Sequence, residues 1–216
     1  MTTLTYKNFN NITLQDFINI CKSENAKETL GLGATKEIEL YPGEKVTIVV
    51  TGFKHDTKED GTKANVSFIL KKTPLGDFPM NKEWTNKGGW HESAMRNIAM
   101  PRFLELLPQE LRDAIVPVKK KTSIGENKST LKTSIDRLFL LSEKEIKGTT
   151  EESFTGEGKQ YDLFKKDPSK IECNRWNWLR SPYSGASTCF CSISCTGYVT
   201  GSNAYTTNAP RLGFCL

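Results

Sequence analysis

The sequence predicts an α+β domain with helices packed on short, irregular antiparallel sheets. Two observations carry this. Apolar stripes at helical spacing recur along the chain, and between and after them stand short β-branched runs separated by turn residues. At 216 residues, 37% apolar and 25% charged, the chain is long enough to bury one ordinary core. It is expected to form a single domain, 1–216. Its segments are a helix plus β-rich part (1–80), a helical part (81–146), a surface excursion (147–175) and a C-terminal β segment (176–216).

The first helix is expected over 13–22. Thr13 can cap it with Asp16 three residues on, and Leu14, Phe17, Ile18 and Cys21 form one stripe. Glu37 to Leu40 alternates and Pro42-Gly43 turns. Val46 to Thr51 and Ala64 to Leu70 read as an antiparallel pair with a long polar loop between them. Helices follow over 92–100, ended or kinked by Pro101, and over 108–115, started by Pro108. Lys119-Lys120-Lys121 reads as a solvated loop, with phosphate binding as the alternative. Leu138 to Leu141 is a buried strand, and Ser142-Glu143-Lys144-Glu145 is a capping box for a short helix. Residues 147–170 are polar and glycine-rich and read as a surface excursion. Leu212, Phe214 and Leu216 alternate, so the chain ends as a strand tied into a sheet.

Several function classes are disfavoured at this level. A net charge of +5 is a weak reason to propose nucleic acid. No apolar run approaches the roughly 20 residues of a membrane span. The N-terminus lacks a signal-peptide pattern, so synthesis in the cytoplasm is expected, with any later exposure arising by another route, such as a particle released by lysis. Six cysteines include no Cys-x-x-Cys pair, and with two histidines they argue against a zinc site. No cofactor is expected.

The C-terminal part differs in kind. A quarter of the chain is charged, yet from Pro182 to Pro210 there is no charged side chain. Cys189, Cys191, Ile193 and Cys195 are spaced by two, so a strand would turn them to one face as buried, reduced, inert thiols. Their neighbours would face out. The expected binding surface is therefore Tyr183, Ser184, Ser187, Thr188, Phe190, Ser192, Ser194, Tyr198, Thr200, Ser202, Asn203, Tyr205, Thr206 and Asn208, with Gly201-Ser202-Asn203 as a turn. At least half of these should be solvent-exposed on one contiguous side. This is a paratope-like palette of rigid aromatics and short polar groups. The alternatives are an ordinary β-sheet surface, or a segment covered by the same chain or a second subunit. Trp176, Trp178 and Leu179 are expected to be buried.

Trp176-Asn177-Trp178-Leu179-Arg180-Ser181-Pro182 and Ala209-Pro210-Arg211-Leu212-Gly213-Phe214-Cys215-Leu216 resemble an uncharacterised family of Firmicutes and phage proteins. Its members carry Trp-Trp-Leu-Arg-Ser-Pro and end in a sequence like Gly-Val-Arg-Pro-Ala-Phe-Cys-Leu. Gly52-Phe53-Lys54-His55-Asp56, Gly89 to Arg96, Leu107 to Arg112 and Asp136 to Glu143 resemble its other blocks. The departures here are Asn177 for the first tryptophan of the motif and Arg-Leu-Gly-Phe near the end.

The resemblance implies a C-type-lectin-like fold, shared with formylglycine-generating enzymes and the variable proteins of diversity-generating retroelements. It implies a ligand-binding display protein of phage tail, receptor-binding or adhesin type, with its C-terminal segment open to diversification. Incorporation into a phage virion would be its route of exposure. The partner would be a protein or glycan on a cell surface. A homo-oligomer is compatible with this reading; nucleic acid and membrane insertion are not part of it.

The chain is not expected to be an enzyme. A purely structural virion component is one alternative. The other is a formylglycine-generating oxidase using copper on Cys191 and Cys195, but their spacing differs from that family's Cys-x4-Cys. His55-Asp56 reads as a turn or packing element before a metal or acid–base pair, and His91 as a helix-entry residue. Arg180 reads as a buried ion pair or cation–π partner before a carboxylate clamp.

Overall fold

The computed structural model describes residues 6–71, 76–171 and 175–216; Cys173 lies outside them. Among the described residues the protein is a mixed helix and strand fold with three antiparallel sheets. The largest has five strands. Strand β1 (Thr35–Leu40) pairs with β2 (Glu44–Phe53) through the Pro42-Gly43 turn, and β2 pairs with β3 (Val66–Leu70). The C-terminal strand β10 (Leu212–Cys215) inserts between β3 and β6 (Phe139–Leu140). Phe214 lies opposite Phe68, with their rings stacked at 5.2 Å. A second sheet is the hairpin of β4 (Val118–Ser123) and β5 (Leu131–Asp136). The third joins β7 (Asn177–Pro182), β8 (Cys189–Ile193) and β9 (Val199–Asn203). Among the described residues, no helix is long and apolar enough to cross a membrane.

Helix α1 (Leu14–Lys22) begins as expected: Thr13 accepts from the Asp16 N–H at 3.0 Å and the stripe buries Phe17, Ile18 and Cys21. A short α2 (Ala26–Leu30) follows. Pro101 neither ends nor breaks its helix. After α3 (Gly89–Glu92) the chain runs through a π-helical turn, Met95–Ala99, into α4 (Met100–Leu106). The Met100 N–H reaches back five residues to Met95. A widened turn of this kind leaves room for a ring that lacks an N–H and would clash with a regular α-turn. Pro108 caps α5 (Gln109–Ala114), and the Ser142 capping box opens α6 (Glu143–Lys147).

Three expectations are corrected. Lys119-Lys120-Lys121 is not a loop but lies within β4, where alternation exposes Lys119 and Lys121 and buries Lys120. Residues 147–170 are not only a surface excursion. They send Ser153 and Glu157 inward and carry α7 (Asp162–Lys166), whose Leu163 and Phe164 are buried beside Tyr161. Trp178 and Leu179 are buried, but Trp176, just before β7, is 40% exposed.

Candidate functional site

The uncharged segment builds the β8–β9 hairpin and its flanks. Strand β8 is central, with β7 on one edge and β9 on the other, and both of its faces are covered. Phe190, Ser192 and Ser194 are therefore buried, not outward, along with Cys191 and Ile193. Ser192 meets Ser202 hydroxyl to hydroxyl at 2.7 Å, and the Cys191 thiol points at the Glu152 carbonyl at 3.6 Å. Alternation separates two faces of a strand, but it does not say whether one of them meets water.

Of the other eleven residues, Ser187, Tyr198, Tyr205 and Thr206 are exposed. Tyr183, Ser184, Thr188, Thr200, Ser202, Asn203 and Asn208 are half-buried. Four of fourteen falls short of the expected half. Gly201-Ser202-Asn203 is strand, not turn. Cys189 is half-buried and Cys195, in the turn after β8, is exposed, so the thiols do not form one buried row. The Cys191 thiol is pushed well above its ordinary value, first by burial and then by the Glu143 carboxylate nearby.

The exposed residues fall into two groups, because β9 runs about 13 Å between them. At one end, the Ser194–Gly197 turn presents Cys195, Thr196 and Tyr198, beside Lys147, which donates to the Gly197 carbonyl at 2.9 Å. At the other end, Tyr183 lies flat across β9. A Cβ on Gly201 would sit 2.5 Å from its ring, so glycine is what lets the tyrosine cross there. The loop after Met80 completes this end. Asn86 donates to the Ala186 and Cys189 carbonyls at 3.1 and 2.8 Å, and the Asn81 N–H binds the Ala204 carbonyl. These bonds bring Trp84, 63% exposed, onto Tyr205, 49% exposed, with ring centres 5.4 Å apart. Sequence reading missed Trp84. The signal was a lone tryptophan in a polar run, Lys82-Glu83-Trp84-Thr85, with no apolar stripe to join.

Deeper in the fold is a second constellation, fully enclosed. The residue before it, His55, stacks on Tyr161 at 4.0 Å, with Gly52 leaving space for both rings. Asp56 Oδ1 accepts from Lys120 Nζ at 2.6 Å. Its Oδ2 accepts from Ser67 Oγ at 2.6 Å, Tyr161 OH at 2.8 Å and Cys215 Sγ at 3.3 Å. Lys120 Nζ also donates to Tyr161 OH at 3.0 Å and to Glu145 Oε1 at 3.2 Å, and lies 3.6 Å from the Phe139 ring centre. Glu145, the capping-box residue, is gripped by both terminal guanidinium nitrogens of Arg180. The buried ion pair expected of Arg180 is thus present, and His55-Asp56 does packing work through its neighbours.

Burial opposes the charge on Asp56 and Glu145. The Lys120 ammonium outweighs it at Asp56, and Arg180 with Lys120 at Glu145, so both carboxyls stay below their ordinary values. Burial likewise works against the Lys120 ammonium, and the two carboxylates more than restore it. Glu157 is the exception. Burial raises it to about 7, only partly offset by the nearby Ser181 hydroxyl and the hydrogen bond from the Ser123 N–H at 2.8 Å. Among the described residues, no three His, Cys, Asp or Glu side chains are grouped to hold a metal ion. Cys191 is buried on β8 while Cys195 is exposed in the turn beyond its end.

A family profile described as a domain of unknown function (DUF6273) matches residues 64–216, more than two thirds of the chain. The chain belongs to this family. The matched residues hold the whole uncharged segment and Trp84, together with Lys120, Glu145, Tyr161, Arg180 and Cys215; His55 and Asp56 precede them. No curated protein and no solved structure gives a significant match.

Proposed function

We propose that this DUF6273 protein is a ligand-binding display scaffold, C-type-lectin-like in architecture, that recognises a cell-surface protein or glycan through the Trp84–Tyr205 end of its uncharged segment. The solvent-facing contact of Trp84 and Tyr205, rings tilted by 31°, carries the reading. Two large aromatics held open to water beside Ser187, Thr188, Asn203 and Thr206 are poorly explained by folding alone. They have the character of interface hot spots, rigid and bounded by short polar groups. Within residues 182–210 no ion has to leave water, and exposed Lys82, Glu83 and Lys87 flank Trp84 in sequence. Tyr198, at the far turn, belongs to a separate contact or to none. A phage tail or adhesin setting, and diversification of residues 183–208 by a retroelement, extend the same reading.

The test is binding of labelled protein to a panel of bacterial cells and isolated envelopes. Trp84→Ala and Tyr205→Ala should each abolish binding that the wild type shows, with the melting temperature nearly unchanged. Binding that survives both substitutions would sink the assignment. A purely structural virion component would bind no envelope and would instead assemble with other particle proteins.

A further inference from the structure

Lys120 is 1% exposed, and its amine has protein on every side. Beside it are the Asp56 carboxyl at 2.6 Å, a second carboxylate, Glu145, at 3.2 Å, and the face of Phe139. The other oxygen of Asp56 accepts three bonds, from Ser67, Tyr161 and Cys215. An amine against a carboxyl group, a base on the same nitrogen and three donors on one oxygen are the parts of an acyl-transfer site, here closed off from water. We propose that Lys120 and Asp56 condense into an intramolecular amide, a covalent bridge from the loop after β2 to strand β4. This goes beyond the binding reading and is independent of it.

The chemistry balances without an oxidant or cofactor. One proton passes from the Lys120 ammonium to Oδ1 of Asp56, leaving a neutral amine and a neutral acid. The nitrogen lone pair forms the N–Cγ bond, and the carbonyl electrons move onto Oδ2, where Ser67, Tyr161 and Cys215 donate. Glu145, kept anionic by Arg180, takes a proton from the nitrogen and delivers it to Oδ1. The Cγ–Oδ1 bond breaks, water leaves, and the carbonyl re-forms on Oδ2. One ammonium and one carboxylate become one amide and one water. Two terms favour this. The reacting groups are held together as a single molecule, and the amide removes two charges whose burial is unfavourable. Glu145 acts as a positioned base, and Ser67, Tyr161 and Cys215 as oxyanion donors.

Intact mass spectrometry of the denatured full chain tests this directly. The expected mass is one water below that of the sequence, and trypsin should release a branched peptide joining the Asp56 and Lys120 segments. Asp60-Gly61 can also lose water by cyclising, so the controls separate the two. Asp60→Ser should keep the deficit, and Lys120→Arg should restore the full mass. A wild-type chain with its full mass and two linear peptides after prolonged incubation overturns the proposal. So does a deficit that Lys120→Arg retains or Asp60→Ser removes. In Glu145→Gln, with a native-like circular dichroism spectrum, condensation should slow on the order of 100-fold; an unchanged rate overturns the role of Glu145 as base.

Discussion

The enclosed cluster around Asp56 and the Trp84–Tyr205 end of the third sheet invert the usual distribution of residue types. The cluster buries two carboxylates and two cations within hydrogen-bond reach of one another. The outer end has large aromatic rings in water and, from Pro182 to Pro210, no charge at all. Each arrangement is stable for its own reason. Buried charges persist when every one has a counter-charge and a hydrogen bond, so that removing any member strands the rest. Exposed aromatics persist when their backbone is fixed from behind, here by Asn86, Asn81 and the glycine under Tyr183. Tightness belongs to the inner region and openness to the outer one, and substitutions should respond accordingly.

The largest effect is expected inside. Lys120→Ala leaves the Asp56 carboxylate buried with no cation beside it and should lower stability by about 3–5 kcal/mol. Urea unfolding measures this, and a midpoint that stays in place would mean that the cluster is not the closed unit described. Trp178→Ala asks whether the base of the outer region is equally demanding. Its ring is 1% exposed, and its indole N–H donates to the Phe78 carbonyl at 2.6 Å. The loss should also be about 3–5 kcal/mol, and a thermal melt unmoved by the change would contradict it.

The pH dependence sharpens the contrast. Glu145 titrates lower in the folded protein than in the unfolded chain. The stability it contributes is present above its ordinary value of 4.5 and is lost as pH falls further. Glu157 acts in the opposite sense. Raised from 4.5 to about 7, it binds more protons folded than unfolded, so stability falls as pH climbs through that window, by about 3 kcal/mol in all. Glu157→Gln should flatten the fall in melting temperature between pH 4.5 and about 7 and leave the loss at lower pH alone. A fall that stays as steep in this variant would assign the effect to another group.

Smaller still is the stability effect at the outer end. Tyr205→Ala and Tyr198→Ala should each change stability by no more than about 0.5 kcal/mol. A larger drop in the melting temperature of either variant would make that ring part of the scaffold. The least perturbing probe is a thiol reagent on the native protein, read by peptide mapping. Cys195 should react quickly. Cys191 and Cys215, buried and held far above the ordinary thiol range, should react only on unfolding, as should Cys21, which burial raises to about 12. Rapid labelling of Cys191 would show that β8 is open on one face.

Much of the fold was legible because its signals are local. The Thr13 and Ser142 caps, the α1 stripe, the Pro42-Gly43 turn and the β-branched runs of β2 and β3 each depend on residues a few positions apart. The inner cluster was not legible. In Val118-Lys119-Lys120-Lys121-Thr122 the strand alternation is present, but three identical lysines hide which one turns inward. Its partners lie 64, 25 and 41 positions away, at Asp56, Glu145 and Tyr161. Glu145 was recognised as a helix cap, and nothing nearby in sequence points to Arg180 as its partner.

The outer region divides along the same line. By itself, the sequence determined that residues 182–210 carry no charge, that Cys189 to Ile193 alternate as strand, and that Trp178 and Leu179 belong inside. Composition and period are properties of neighbouring residues, so they survive without a fold. Only the tertiary structure decided that β8 is a central strand covered on both faces, which withdrew Phe190, Ser192 and Ser194 from the surface. It alone brought Trp84 onto Tyr205. Burial and ring contact depend on which distant segments arrive at the same place, and that is settled when strands choose partners and loops close over them.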